Sequence, residues 1–357
     1  MSPLQARPAL ALLGLALVVG VCVWLLLNTP DSLLRGRPPR QGPAVQEDET
    51  LIVHIGQGES AAAIGSKLEE SGIIESARLF RTLTTLMAVS DKLEAGDYQF
   101  DKGESAAVAV QRISRGIMAS HLVTIPEGLR AEEIGELLEQ NAVVPAAGFR
   151  AALAGQYAAS FIAKLPAGAG LEGFLFPATY GFAVDVTPSQ AAQQLLDAFD
   201  DRYAEEVQPL LTGSGLSLLE AVALASIVER EAQLPDERPI IAGVFLNRLA
   251  EGMALEADPT VQYALGSNPA SVAEFGYWKR DLTIADLAID SPYNTYAHAG
   301  LPPGPIANPG LDSILAVLRP ARTDYLYFVA RPDGSHAFAA TLEEHLDNIC
   351  QVDPGRC

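Results

Sequence analysis

Basic residues are scarce in this chain, with 24 Lys and Arg against 44 Asp and Glu and a formal net charge of −20. Nucleic-acid binding needs clustered Lys and Arg to displace counterions, so that charge excludes a nucleic-acid partner, and it disfavours anionic membrane surfaces as well. Cysteine is rarer still, at three. Cys22 falls in an apolar run, which leaves Cys350 and Cys357 either to close a terminal disulfide in an oxidising compartment or to stay free thiols. Histidine numbers five, and neither an H-E-x-x-H pattern nor a cysteine pair accompanies His336 and His345. A structural role is expected for both, and no metal or cofactor.

At 357 residues, 49% apolar and 19% charged, the chain has the composition of a folded protein with room for several parts. Ala9 to Leu27 are 19 consecutive uncharged residues rich in Leu, Val and Ala. A spanning helix needs roughly 20, and no small-x-small cleavage site follows, so an uncleaved anchor is expected. Its flanks oppose an external C-terminal domain: Arg35, Arg37 and Arg40 outweigh Arg7 and the amino terminus, and the positive-inside rule puts the richer side in the cytoplasm. Residues 28–50 carry Pro30, Pro38, Pro39, Gly42 and Pro43 and read as a semi-extended spacer.

An internal repeat follows at an offset of 70 residues. Val53, Ile55, Gly58, Ile64-Gly65, Leu68-Glu69 and Ile73-Ile74 recur as Val123, Ile125, Gly128, Ile134-Gly135, Leu138-Glu139 and Val143-Val144. Each copy predicts an alternating strand, a glycine turn, an amphipathic helix and a return strand or cap. The first copy suggests a β-α-α-β order and resembles LysM, a small glycan-binding fold; plain scaffold is the alternative. From Pro145 to Leu216 the pattern is Ala-rich and mostly helical. Helices are expected over about Leu218–Ala232 and Arg238–Ala250, and a buried strand over Tyr325–Val329.

The segment from Leu218 is apolar, apart from Glu220 and Ser226, until it reaches Glu229-Arg230-Glu231. A glutamate against apolar walls is harder to ionise than the solvated reference of about 4.3, and so can hold a proton for donation. A salt bridge to Arg230, Arg238 or Arg248 is the alternative, and periodicity leaves open whether Glu229 or Glu231 points inward. Beyond lie loops stiffened by Pro and Gly and rich in Asn, Thr, Tyr and Asp, which suit sugar hydroxyls: Asp258-Pro259-Thr260, Tyr293-Asn294-Thr295-Tyr296, and Gly300 to Gly310.

With Leu171-Glu172-Gly173-Phe174-Leu175-Phe176-Pro177, Ala225 to Glu231, Asp258-Pro259-Thr260, the Asn294 loop with its Pro-Pro-Gly turn, and Tyr325 to Val329, the chain resembles the endolytic murein transglycosylase family, also called YceG-like. The resemblance runs from the anchor through about residue 347. It implies an α+β protein with cytoplasmic tail 1–8, transmembrane helix 9–27, linker 28–50, LysM-like subdomain 51–120, second repeat and connector 121–165, catalytic domain 166–350 and tail 351–357.

It also implies a lytic transglycosylase on the outer side of the bacterial cytoplasmic membrane. Its partners would be that membrane, nascent glycan strands and the peptidoglycan synthases that make them. The first acid of Val-Glu-Arg-Glu, Glu229, is then the catalytic residue. Asp258, Asn294 and Tyr296 are candidates for holding the sugar or steadying its positive charge, against the alternative of polar loop anchors, and Glu172 for supporting the groove. A tethered glycan-binding scaffold and an ordinary hydrolase are the rival readings. Glu256-Ala257 depart from the family's usual Gln followed by Ser or Thr, and Leu346 from its usual Asn.

Overall fold

The computed structural model describes residues 50–357. The expected tail 1–8, transmembrane helix 9–27, Cys22 and nearly all of the linker lie outside the described residues. The rest is a mixed α+β chain that divides into two compact units, one containing residues 50–121 and 183–185, the other 122–182 and 186–357.

In the first unit, β1 (Thr50–Ile55) pairs antiparallel with β2 (Gly96–Asp101), in a register that sets Val53 opposite Tyr98. Alternation turns Val53, Ile55, Tyr98 and Phe100 to one face, where they are buried with Ile64, Leu68, Phe80, Val110 and Ile113. Those residues come from α1 (Ala61–Glu70), α2 (Ala77–Leu86) and α3 (Ala106–Ser114). Each helix starts at a serine whose hydroxyl accepts from a first-turn amide: Ser60 from Ala63, Ser76 from Leu79, Ser105 from Val108.

The second unit repeats the β-α-α-β order with β3 (Ser120–Thr124), α4 (Ala131–Gln140), α5 (Ala146–Ala152) and β4 (Thr179–Ala183), which pairs with β3. The correspondence reaches single contacts. A methyl group on Gly65 would lie 3.2 Å from the Ala77 carbonyl and 3.3 Å from Phe80; on Gly135 it would lie 3.4 Å from both the Ala146 carbonyl and Phe149. Glycine therefore lets two helices approach in both copies. β4 sits inside the stretch expected to be mostly helical: Tyr180 and Phe182 alternate inward, and the return strand arrives only after a long insertion.

The chain continues with α6 (Pro188–Arg202), α7 (Gln208–Ser214), α8 (Leu218–Glu231), α9 (Arg238–Ala250), α10 (Asp258–Leu265), α11 (Pro269–Phe275), α12 (Ile284–Leu287) and α13 (Leu311–Leu318). A hairpin of β5 (Tyr327–Ala330) and β6 (His336–Ala339) and a last helix, α14 (Leu342–Val352), complete it. No boundary falls at 165, because Val123, Ile134, Phe149, Phe174, Phe199, Val222, Ile241 and Ile314 share one hydrophobic core. Cys350 and Cys357 are joined in a disulfide.

Helix α8 is the axis of this unit. Ser217 and Glu220 form a capping box at its start, and everything from Ala221 to Val228 is buried. Each buried Leu, Val or Ile there contributes about 1.5–3 kcal/mol. A mid-helix serine would ordinarily weaken such a segment. Ser226 instead donates to the Ala223 carbonyl at 2.7 Å and accepts from the Ile306 amide at 3.0 Å, which pins the 300–310 loop along the helix.

Candidate active site

The apolar run ends where α8 ends, and its last turn carries two acids. Successive residues turn by about 100°, so Glu229 and Glu231 leave the helix on nearly opposite sides. Glu229, 8% exposed, uses both oxygens as acceptors. Oε2 takes the Ser313 hydroxyl at 2.7 Å and the Gly310 amide at 3.1 Å; Oε1 takes the Arg238 guanidinium at 3.4 Å. Arg238 also lies 3.6 Å from Glu127, whose carboxylate packs closely on Gly310. Burial, and the nearby Glu229, push the Glu127 carboxyl above its ordinary value. Glu229 thus ties α8 to α9 and α13.

Glu231 is different. It accepts no hydrogen bond among the described residues, and burial, reinforced by the Asp258 charge and opposed by Arg230, pushes its carboxyl up to about 8. A carboxyl raised that far favours its protonated form at neutral pH, and Glu231 has no hydrogen-bond acceptor for the proton among the described residues. Asp258 opens α10 at an exposed position, and the Tyr296 hydroxyl donates to its Oδ1 at 2.6 Å. Burial and that bond raise the tyrosine's own pKa.

Arg230, between the two acids, lies 3.9 Å over the Trp278 ring and donates to the Gly128 carbonyl at 3.4 Å. Trp278 is held by Glu133 at 2.9 Å and Tyr277 by Glu136 at 2.6 Å, both acids of α4. Arg130, 1% exposed, stacks 4.1 Å over Tyr263. Its place in the repeat is that of the cap Ser60; the second copy keeps the residue as the helix cap and sends its side chain over Tyr263 and Tyr277.

Asn294, an expected sugar contact, and Glu172, expected to support the groove, are both engaged by the protein itself. Asn294 is fully buried; its Nδ2 donates to the Leu287 and Ile289 carbonyls at 3.0 and 2.9 Å, and its Oδ1 accepts from the Tyr296 amide at 3.0 Å. It shapes the loop that aims Tyr296, in place of the expected sugar contact. Glu172 accepts from the Ala131 amide at 3.1 Å and from Asn308 at 2.7 Å, and burial pushes it up to about 8. Asn308 also accepts from the Gly173 and Leu175 amides, so Glu172 joins the Leu171–Pro177 motif to α4 and the 300–310 loop. His336 is paired with Glu237 at 2.6 Å and His345 stacks on Tyr327.

Glu127 and Ser313 do not stand out in the sequence as parts of the site, although Glu127 has a signal in its place at the turn of the second repeat copy. Arg238 is the salt-bridge partner that the sequence offered as an alternative, and Gly310 closes the loop expected to suit sugars. A cavity of about 460 Å³ lies at the other end of α8, against Leu216, Leu219, Ala223, Leu301 and Pro302. Its single acid, Glu220, is occupied in capping the helix.

The Leu171–Pro177, Ser226, Glu229 and Asn308 interactions form a framework that spans most of the second unit, and a YceG-like family model matches residues 53–351. The chain belongs to the YceG-like family. An endolytic murein transglycosylase of Bacillus subtilis strain 168 is 32% identical over 327 residues, covering 85% of each chain. One of Streptococcus pneumoniae strain D39 is 31% identical over 331 residues, covering 84% of this chain and 58% of that longer protein. The crystal structure of a YceG-like protein from Listeria monocytogenes, 33% identical, superposes with a TM-score of 0.56 over 84% of this chain and 99% of its own. Family membership thus extends over both units.

Proposed function

We propose that this chain is an endolytic murein transglycosylase that cuts the MurNAc–GlcNAc bond of nascent glycan strands, leaves 1,6-anhydroMurNAc ends and so terminates elongation, with Glu231 as acid and base. The activity, that of a lyase acting on peptidoglycan, rests on family membership and on the relatives bearing that name. The residue assignment rests on one observation. Of the two acids at the end of α8, Glu231 alone accepts no hydrogen bond among the described residues, and burial pushes its carboxyl up to about 8. Glu229, expected to be catalytic, has both oxygens committed as acceptors and is read as a structural ion-pair partner.

Glu231 donates its proton to the glycosidic oxygen as the bond from the MurNAc anomeric carbon to that oxygen breaks, its electron pair staying on the oxygen. The sugar left behind is oxocarbenium-like. Glu231, now a carboxylate, takes the proton of the MurNAc C6 hydroxyl while O6 bonds to the anomeric carbon. One group serves both halves, and no second carboxylate is needed as nucleophile or to activate water.

The test is to incubate the full chain in detergent with uncrosslinked strands and weigh the ends. Anhydro ends, one water lighter than reducing ends, are expected. Reducing ends would mean a hydrolase and intact strands a scaffold. Full activity in Glu231→Gln would remove the assignment.

The apolar run 9–27 supports single-pass anchoring in the cytoplasmic membrane. The Cys350–Cys357 disulfide supports an oxidising, extracytoplasmic side, against the arginine flank. A terminal reporter active on one side only tests the orientation. The β-α-α-β order of residues 50–101 supports the LysM-like reading and glycan contact there, tested by strand binding to the Glu231→Gln chain with Gln57, exposed in the turn after β1, replaced by alanine.

A further inference from the structure

Asp258 is held in a way that loop anchoring does not require. It occupies the first position of α10, is exposed, and receives the Tyr296 hydroxyl on Oδ1 at 2.6 Å, while Oδ2 accepts no hydrogen bond among the described residues. Tyr296 is itself aimed: its ring is partly buried, and its amide is fixed by the buried Asn294. α10 packs against α8, which brings Asp258 to the Glu231 side of the helix.

The charges around Glu231 are few. Arg230 faces it from α8, Asp258 from α10 and Tyr296 from the 291–296 loop. Arg238 on α9 and Asp312 on α13 face Glu127 and Glu229 instead. Among the described residues the cation that bears on Glu231 is Arg230, whose guanidinium is stacked on Trp278; Glu256, which also bears on Tyr296, is paired with Arg248 at 3.1 Å. Beside the raised carboxyl of Glu231 there is thus a carboxylate open to solvent, oriented by a phenol and without an ion-pair partner among the described residues. A positive sugar entering between them would supply the missing charge.

We propose that Asp258, oriented by Tyr296, is a second working carboxylate whose free oxygen faces the anomeric carbon and stabilises the positive charge that develops there, without bonding to it. The inference rests on Glu231 being the acid. Tyr296 is the positioning residue and Asp258 the group that touches the sugar. Preorganised charge of this kind acts on the transition state, so its removal falls on kcat and leaves KM nearly unchanged.

The experiment measures kcat, KM and the pH profile of the full chain in detergent on uncrosslinked glycan strands. Asp258→Asn preserves shape and is expected to lower kcat about 10²-fold with KM within about twofold. Loss of its charge also lets Glu231 ionise more easily, so the alkaline limb of the profile moves to lower pH by about one unit. Tyr296→Phe is expected to lower kcat less, and to add nothing in the Asp258→Asn background. Wild-type kcat with an unmoved alkaline limb in Asp258→Asn overturns the proposal, and so does a rise in KM alone. Full activity in Glu231→Gln strikes the underlying reading instead; an inactive Glu231→Gln beside a fully active Asp258→Asn removes only the role of Asp258.

Discussion

Glu229 and Glu231 stand two residues apart on one helix, with Arg230 between them, yet the structure treats them in opposite ways. One is met by an amide, a hydroxyl and a guanidinium from α9, α13 and the loop before it. The other is met by a carboxylate and by no donor among the described residues. Both are shielded from water. Burial alone therefore does not make a catalytic acid; what matters is whether the buried group is also given donors, which favour the anion, or denied them, which favours the proton.

That contrast is broken most severely by exchanging each acid for its amide. Glu231→Gln is expected to lower kcat on glycan strands about 10³-fold, the scale of a lost general acid. Its melting temperature should not fall, since no protein hydrogen bond is removed. Glu229→Gln is expected to behave inversely. Urea unfolding should show a loss of about 2 kcal/mol, because Arg238 loses a buried partner, while kcat of the folded enzyme stays within about tenfold of the parent.

The pH dependence sharpens the same comparison. The Glu231 carboxyl sits near 8 in the folded chain, against 4.5 in the unfolded one, so the native state binds more protons in that interval. Its contribution to stability is complete below about pH 4.5 and is lost as pH rises towards 8. Urea midpoints should therefore fall over that window, and fall less steeply in Glu231→Gln. An unchanged slope would contradict the raised pKa. Glu172, also raised to about 8, should leave a remaining slope of the same sign in that variant.

The smallest effect concerns the two β-α-α-β modules. Gly135→Ala and Gly65→Ala press a methyl group on matching helix contacts, at 3.4 and 3.2 Å. Ala gains about 1 kcal/mol over Gly inside a helix, so Gly135→Ala, whose methyl meets only ordinary contact distances, is expected to be neutral or slightly stabilising, and Gly65→Ala, with the tighter fit, less favourable, read by urea denaturation.

Much of the architecture was legible because it is written in local periodicity. The 70-residue repeat, helices α8 and α9 and the aromatic strand near 327 all rest on patterns within a few turns of chain, and they stand within a few residues of the expected bounds. β4 escaped notice because its partner strand lies more than 50 residues earlier and its neighbours are Ala-rich. The site was less legible for the same reason. Asn294 reads as a sugar ligand when only its type and loop are seen; that its amide is consumed by the carbonyls of Leu287, at the end of α12, and Ile289 is a matter of three dimensions.

Composition and pattern alone determined the acidic character of the chain, the apolar run at its start, the duplicated module, the family resemblance and the presence of two acids at the end of a buried helix. Those follow from residue type and spacing, which need no partner. Which acid is given donors and which is denied them was decided only by tertiary structure, because the groups that meet each one are brought from elsewhere in the chain. Gly310, Ser313 and Arg238 reach Glu229 from up to 84 residues away, while Asp258 and Tyr296 gather on the side of Glu231.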